Sequence, residues 1–320
     1  MEKLLIIQGN TAYEPPIKEG VKWETERKSA PGKLTFSMLK NSGIDVAMGN
    51  TVCFIDTEGQ EKGIFYGFVF RAKETEGDTI DITAYDQLRY LKNKDTMSLV
   101  SAKASAVVMH VAQMYRLNVG VVTPTVHIIP SVVEENSTGF DMIGNALDEE
   151  LKSTGNMYVL FDNYGALTLL PISKLVTEYV LIKGKGQKFT AETSIDKDVY
   201  NSVKVKSDNK STGRVDVYIV KNSELINEWG LLQLTETVRD GENAALKANA
   251  LLNLYSVPTK SLKVQDCQGD NKVRGGSLIA VTDIDGKGNA GFMMVEKAVH
   301  TYKNGEHTMD LTLIGGEYNA

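Results

Sequence analysis

Asn304-Gly305 is the feature that most constrains this chain. β-prone runs flank it, residues 292–302 before and 307–314 after, and Asn-Gly is the preferred two-residue hairpin turn because both positions must take positive φ. With that dipeptide at the tip, Lys303 faces Glu306, Tyr302 faces His307, His300 faces Met309 and Ala298 faces Leu311. Alternation along each strand then puts Met294, Ala298, His300, Tyr302, His307, Met309, Leu311 and Leu313 on one buried face. Two of the chain's four histidines, His300 and His307, sit near the tip, so any imidazole chemistry starts there.

The remaining composition sets limits. The chain has 320 residues, 42% of them hydrophobic, and only seven prolines, so it can bury substantial cores in two or three domains. Thirty-five basic against 41 acidic residues leave a net charge of −6 without a Lys/Arg cluster suited to phosphates, which argues against specific nucleic-acid binding or an anionic membrane partner. Residues 1–8 hold four consecutive apolar positions where a signal peptide needs a longer core, and no later run approaches a membrane span; the expectation is synthesis and folding in a bacterial cytoplasm, with no membrane insertion. Cys53, in an apolar stretch, and Cys267, read as part of a polar loop, suit isolated thiols better than a disulfide framework.

The pattern along the chain predicts a mainly β, α+β fold. Alternating runs at 21–27 and 34–39 enclose the turn residues Ala30-Pro31-Gly32-Lys33, and further strands follow at 51–56, 64–72 and 79–85. Their even spacing predicts a first small β-barrel-like domain over 1–95. The period then changes. Val107, Val108, Val111, Met114 and Tyr115 recur at helical spacing, as do Phe140, Ile143, Leu147 and Leu151, the second set capped by Ser137 or Thr138 and stopped by Gly155. With the hairpin around Asp162-Asn163-Tyr164-Gly165, these helices predict a small α+β domain over 96–172. Strands resume at 203–207 and 214–220 around a turn at 209–213. A helix near 240–256, capped by Asp240 and closed by Pro258, interrupts a second β-barrel-like domain over 173–320. No fixed-period repeat is visible.

Candidate chemistry fails on context. Ser37-Met38-Leu39-Lys40 and Ser207-Asp208-Asn209 match two motifs of penicillin-recognising enzymes, but Ser37 lies in a strand where the nucleophile should open a helix, and no Lys-Thr-Gly follows. His300 and His307 supply two ligands where zinc needs three or four, with Met309, Tyr302 and Leu311 as neighbours, so packed histidines are expected. His110 reads as a helix residue and Cys53 as a core thiol. Residues 283–289 have the oxygen density of a calcium loop but glycine at the wrong position. Gly184-Lys185-Gly186 and Gly275-Gly276-Ser277 lack the strand-loop-helix frame of a phosphate cradle. The expectation is no cofactor, no metal and no enzymatic activity.

Several phrases resemble one family. Thr83-Ala84-Tyr85-Asp86-Gln87-Leu88-Arg89-Tyr90-Leu91 with Lys94-Asp95, Tyr200-Asn201-Ser202-Val203-Lys204-Val205, Gly230-Leu231-Leu232-Gln233, and 295–302 with His307-Thr308-Met309 are similar to the XkdQ/YqbQ-like proteins of defective prophages. The resemblance marks Tyr85, Asp86, Leu88, Tyr90, Leu91, Asp95, Tyr200, Asn201, His300 and His307 as structural motif residues. It implies a baseplate hub of a contractile phage tail or tail-like bacteriocin: a homotrimer with two related tail-tube-like barrels per subunit, between the tail tube protein, the central spike protein and the baseplate wedge proteins. Its alternative is a cell-wall hydrolase at the tail tip. Within the chain, Asp86 stands where a strand ends and a short helical turn over 87–91 begins, so it is expected to cap that turn.

Overall fold

The computed structural model describes every residue except 1, 41, 59–60, 75, 183–187, 210–213, 239–242, 283–289 and 319–320. The chain opens with β1 (Glu2–Gln8), β2 (Thr11–Tyr13), β3 (Ile17–Glu26), β4 (Lys33–Leu39), β5 (Thr51–Asp56), β6 (Lys62–Glu74) and β7 (Thr79–Tyr85). These pair in the order β3-β4-β7-β6-β5-β1-β2 around a core that includes Ile6, Trp23, Phe36, Phe54 and Ile82.

A 3-10 turn over Gln87–Lys92 leads into β8 (Lys94–Lys103), α1 (Ala104–Met114), β9 (Val119–Val122), β10 (Ile128–Thr138), α2 (Gly139–Thr154), β11 (Tyr158–Asp162) and β12 (Leu167–Pro171). The apolar stripes of α1 and α2 meet β12 in a separate core containing Leu91, Val107, Val111, Ile143, Leu167 and Leu169. α2 begins at a reciprocal capping box between Thr138 and Asp141 and ends at Gly155, whose φ of 76° stops the helix in the left-handed region.

Then come β13 (Val176–Ile182), β14 (Lys188–Ser194), β15 (Ser202–Asn209), β16 (Arg214–Lys221), α3 (Ser223–Trp229), β17 (Gln233–Val238), α4 (Ala244–Tyr255), β18 (Thr259–Gln268), β19 (Leu278–Thr282), β20 (Gly291–Lys303) and β21 (Glu306–Tyr318). β15, β16 and β17 hydrogen-bond to one another in their own sheet, on which α4 packs through Ala244, Ala248 and Leu251. The strands expected at 203–207 and 214–220 are therefore not part of the second β unit's sheet but form, with β17 and α4, a small sheet and helix between β14 and β18. Asn243 caps α4 by accepting from the Ala245 and Leu246 amides; Asp240 lies outside the described residues, as do residues 184–186 and 283–289 and most of the turn expected at 209–213.

The two β units are copies of one arrangement. The first has strand order β3-β4-β7-β6-β5-β1 and the second β14-β18-β21-β20-β19-β13, with the same succession along the chain. They differ in the last strand, since β1 runs antiparallel to β5 while β13 runs parallel to β19. They join edge to edge: Lys297–Tyr302 of β20 pair antiparallel with Glu26–Val21 of β3, making one sheet through both units.

The β20–β21 hairpin forms with Lys303 opposite Glu306, Tyr302 opposite His307, His300 opposite Met309 and Ala298 opposite Leu311. Its far end departs from strict alternation. A bulge at Glu296 places Val295, not Met294, opposite Leu313 on the core face, because one extra residue flips every side chain beyond it. Cys267 is corrected in the same way: it lies in β18 and is fully buried in the second core, since a bulge before it, with Asp266 at φ 57°, returns the strand to the inward face.

The loop before β19 lies directly on the seam. The Gly275 amide donates to Thr25 Oγ1 at 2.9 Å, and a Cβ at Gly275 would fall on the Glu26–Arg27 backbone. Gly275→Ala is expected to destabilise the protein by about 1–3 kcal/mol through overpacking against atoms that cannot rotate away. Urea melts check this; an unchanged midpoint would show that the loop can lift without cost.

Candidate functional site

The residues around Asp86 are where the first β unit, the α+β layer and the second β unit meet. β7 ends at Tyr85, and Asp86, with extended backbone, turns the chain into the 3-10 segment. Asp86 Oδ1 accepts from the Leu88 amide at 3.0 Å, as a cap does, and Oδ2 accepts from the Gly32 amide of the β3–β4 turn at 2.8 Å. Gln87 continues inward. Its Nε2 donates to Asp162 Oδ2 at 2.8 Å and to the Asn118 carbonyl at 3.0 Å, while its Oε1 accepts from the Asn118 amide. Asp162 Oδ1 takes the Gly165 amide at 2.7 Å and so holds the β11–β12 turn.

Arg274, from the loop before β19, completes the cluster. Its Nη1 donates to the Asp162 carbonyl at 3.0 Å, and the guanidinium lies 4.1 Å over the Phe161 ring. Burial, and then the neighbouring Asp162, push the Asp86 carboxyl well above the usual range, against the Gly32 and Leu88 amides and Arg274, which favour its charge. Burial likewise raises Asp162 and lowers Arg274 to about 10. One cation thus serves two buried acids.

The β11–β12 turn also plugs into the first unit. Tyr164, at φ 51°, lies so close over Gly63 of β6 that a Cβ there would overlap its ring, and its ring is 5.7 Å from that of Tyr66. Other motif residues surround this contact. Leu88 and Leu91 are buried in the α+β core, Tyr90 lies against Phe68 and Phe70, Tyr85 packs edge-on to Phe70, and the exposed Asp95 accepts from the Thr96 amide.

His300, fully buried, and His307, partly buried, form a second cluster at the seam. His300 Nε2 is 2.8 Å from the Val273 carbonyl and must donate to it; its Nδ1, 2.9 Å from His307 Nε2, is then an acceptor and His307 the donor. His300 is neutral in this arrangement; burial pushes it down to about 3 and also lowers His307. His300 is 4.6 Å from Trp23 of β3, centroid to centroid, and His307 stacks on Tyr302 at 4.1 Å. Among the described residues, no three His, Cys, Asp or Glu side chains are grouped to hold a metal ion.

The third cluster unites two of the quoted phrases. Asn201 is fully buried; its Nδ2 donates to the Gly230 carbonyl at 2.7 Å and the Leu225 carbonyl at 3.2 Å, and its Oδ1 accepts from the Leu232 amide at 2.9 Å. It pins the α3–β17 connection. Tyr200 packs edge-on to Tyr255 of α4.

Sequence reasoning identified Asp86 but missed Arg274, Asp162 and Tyr164. Arg274 stands beside the Gly275-Gly276 pair; the glycines belong to no phosphate cradle and are there because the loop lies on β3 and β11. Ser37 bonds Asp81 across β4 and β7, and Ser207 lies in the separate sheet of β15, so the two serine motifs do not form one site. No described helix is long and apolar enough to cross a membrane.

A family model described as YQBQ-like matches residues 21–314. The chain is 28% identical over 324 residues to the phage-like element PBSX protein XkdQ of Bacillus subtilis (strain 168), with 98% of this chain and 97% of that protein covered. The same figures hold for the uncharacterized protein YqbQ of that strain. The fold is similar to that of the prophage MuSo2 43 kDa tail protein from Shewanella oneidensis, at TM-score 0.69 and 14% identity over 97% of this chain and 98% of that one. It is also similar to the prophage tail protein gp18 from Listeria monocytogenes EGD-e, at TM-score 0.65 and 14% identity over 99% and 95%. At such identities the likeness is one of fold.

Two outcomes are expected from the Asp86 cluster. Asp86→Ala removes a cap worth about 1 kcal/mol and also orphans the buried Gly32 amide, for a total loss of about 2–4 kcal/mol; a thermal melt unchanged by it would count against the junction. Arg274→Met leaves both acids without their cation, so their carboxyls rise further. The folded variant then keeps protons that the unfolded chain releases above about pH 4, and its stability falls as pH rises. Its deficit against wild type in urea melts should be larger at about pH 8 than at about pH 5, and equal deficits would show that the acids do not depend on the guanidinium.

Proposed function

The chain belongs to the YQBQ-like family, and from that footing we propose that it is a structural, non-catalytic hub of a phage-type tail baseplate, joining a six-fold tail tube to a three-fold central spike. The observation that carries this reading is the sheet that crosses both β units. Its open face is polar along the seam except at Val299: Lys22, Glu24 and Glu26 of β3 lie beside Lys33, Thr35 and Ser37 of β4 on one side, and beside Lys297, Val299 and Thr301 of β20 and Thr308, Asp310 and Thr312 of β21 on the other. Those side chains are exposed or partly exposed, while the alternate ones, such as Trp23, Leu34, Phe36, Ala298 and His300, are buried.

Two of the cations on this face, Lys297 and Lys33, are matched by acids. Lys297 Nζ reaches Glu24 at 3.0 Å and Glu26 at 2.9 Å, and Lys33 reaches Glu24 at 3.1 Å. A net acidic chain whose seam cations Lys297 and Lys33 are paired gains little from releasing the counterions of a polyanion, so DNA can pass it without adhering. A continuous, rigid, polar sheet through two like barrels suits the wall of a conduit. Three copies would supply six barrels, matching a hexameric tube above and a trimeric spike below. The partners this implies are a tail tube protein, a central spike protein and baseplate wedge proteins, with the chain as a component of the tail or tail-like particle.

The test is a reconstruction of the assembled tail tip. Three copies around the axis are expected, with both β units of each in one annulus around the channel. Six copies, or a position away from the channel, would refute the hub reading.

A further inference from the structure

Gly144 stands inside α2, where glycine is the poorest helix former after proline. The helix's other glycine, Gly139, has a packing reason, since a Cβ there would press on Leu91 and Tyr115 at 3.0 and 3.1 Å. A Cβ at Gly144 would meet nothing within 4 Å. The space beside it is a cavity of about 220 Å³ between α2, the β3–β4 turn and the start of β11. Leu147, Leu151, Met157, Tyr158 and Leu160 line it, and each of these apolar side chains is only partly buried.

The cavity adjoins a wider groove of about 780 Å³ that continues past residues 196–198 to the end of α4 and the start of β18; Arg27, Lys28, Asp148, Leu151 and Met157 line both. Three cations along the groove already have acids: Arg27 is paired with Glu296, Lys28 with Asp148 and Lys152 with Glu236. Glu192, Asp196 and Asp198 lie exposed on the same groove, and no ion pair among the described residues takes them. An apolar slot thus sits beside an acidic stretch.

We propose that a partner protein lays an extended segment in this groove, with one large apolar side chain against Gly144 and flanking Lys or Arg residues on Glu192, Asp196 and Asp198. Pockets for whole small-molecule ligands start at about 300 Å³, so the cavity suits a side chain better than a cofactor. A single aromatic anchor in such a slot can carry much of an interface's binding energy. Glycine is then the fitting residue, because any side chain at 144 would take the place where the guest meets the helix backbone. The acids select a basic segment and speed its encounter.

The probe is acetyl-Arg-Gly-Trp-Gly-Arg-amide, titrated into the isotope-labelled full-length chain and followed by amide NMR shifts. Saturable shifts centred on α2, the β3–β4 turn and residues 196–198 are expected. Affinity should fall about tenfold for acetyl-Glu-Gly-Trp-Gly-Glu-amide, and about tenfold for the basic probe on a chain carrying Glu192→Lys and Asp196→Lys. Gly144→Ala should raise the thermal midpoint by about 1–3 °C, because alanine favours the helix and displaces nothing. Gly144→Leu, which fills the slot, should abolish the shifts. A lowered midpoint in Gly144→Ala would make the glycine a packing residue and overturn the proposal. So would a lack of saturation by about 1 mM, equal affinity for the acidic peptide, or binding that persists in Gly144→Leu. The hub reading is tested separately by copy number around the axis and stands under either result.

Discussion

The antiparallel pairing of β20 with β3 is the interaction on which the rest of the molecule depends. It couples residues as far apart as Lys297 and Glu24, 273 positions in sequence, through main-chain hydrogen bonds reinforced by ion pairs on one face and by the Trp23–His300 contact on the other. Closing so long a loop is entropically costly, but the cost grows only slowly with length, and each unit already has its own core to meet it. Once made, the seam turns two β units into one sheet. The largely polar open face that runs across both units follows from it.

A sheet seam alone leaves a hinge, since two units joined along one strand pair can still rock. The α+β layer removes that freedom. Its β11–β12 turn inserts Tyr164 against Gly63 on the first unit, while Asp162 and Phe161 hold Arg274 from the second and Asp86 ties the first unit's β3–β4 turn to the start of the layer. Burying two carboxylates with one guanidinium is a poor route to stability, because desolvation offsets most of the attraction. What the cluster supplies is a unique geometry: every oxygen of both acids is taken by a defined donor from the first unit or the layer, and Arg274 reaches the Asp162 carbonyl from the second, so another arrangement would leave buried polar groups unmet.

Local chemistry was legible. The Asn304-Gly305 turn, the register it imposes, the capping box of α2, the Gly155 stop and the Asp86 cap all appear where short-range rules put them, because each depends on the φ preference or hydrogen-bonding reach of a few adjacent residues. What failed was alternation carried too far along a strand. The bulges at Glu296 and before Cys267 each change the inward face, and nothing in the flanking residues announces them.

The sequence by itself therefore determined the class of the fold, the main hairpins, three of the four described α-helices, and the fact that Asp86 ends one element and begins another. The tertiary structure alone decided which strand edges meet, that Arg274 and Asp162 join Asp86, and that the two β units share one strand order. The reason is physical. Strand pairing is made by backbone groups common to all residues, so two barrels can share one strand order while their side chains share no period. A buried cation finds its acids only after the seam has brought together segments that lie far apart along the chain.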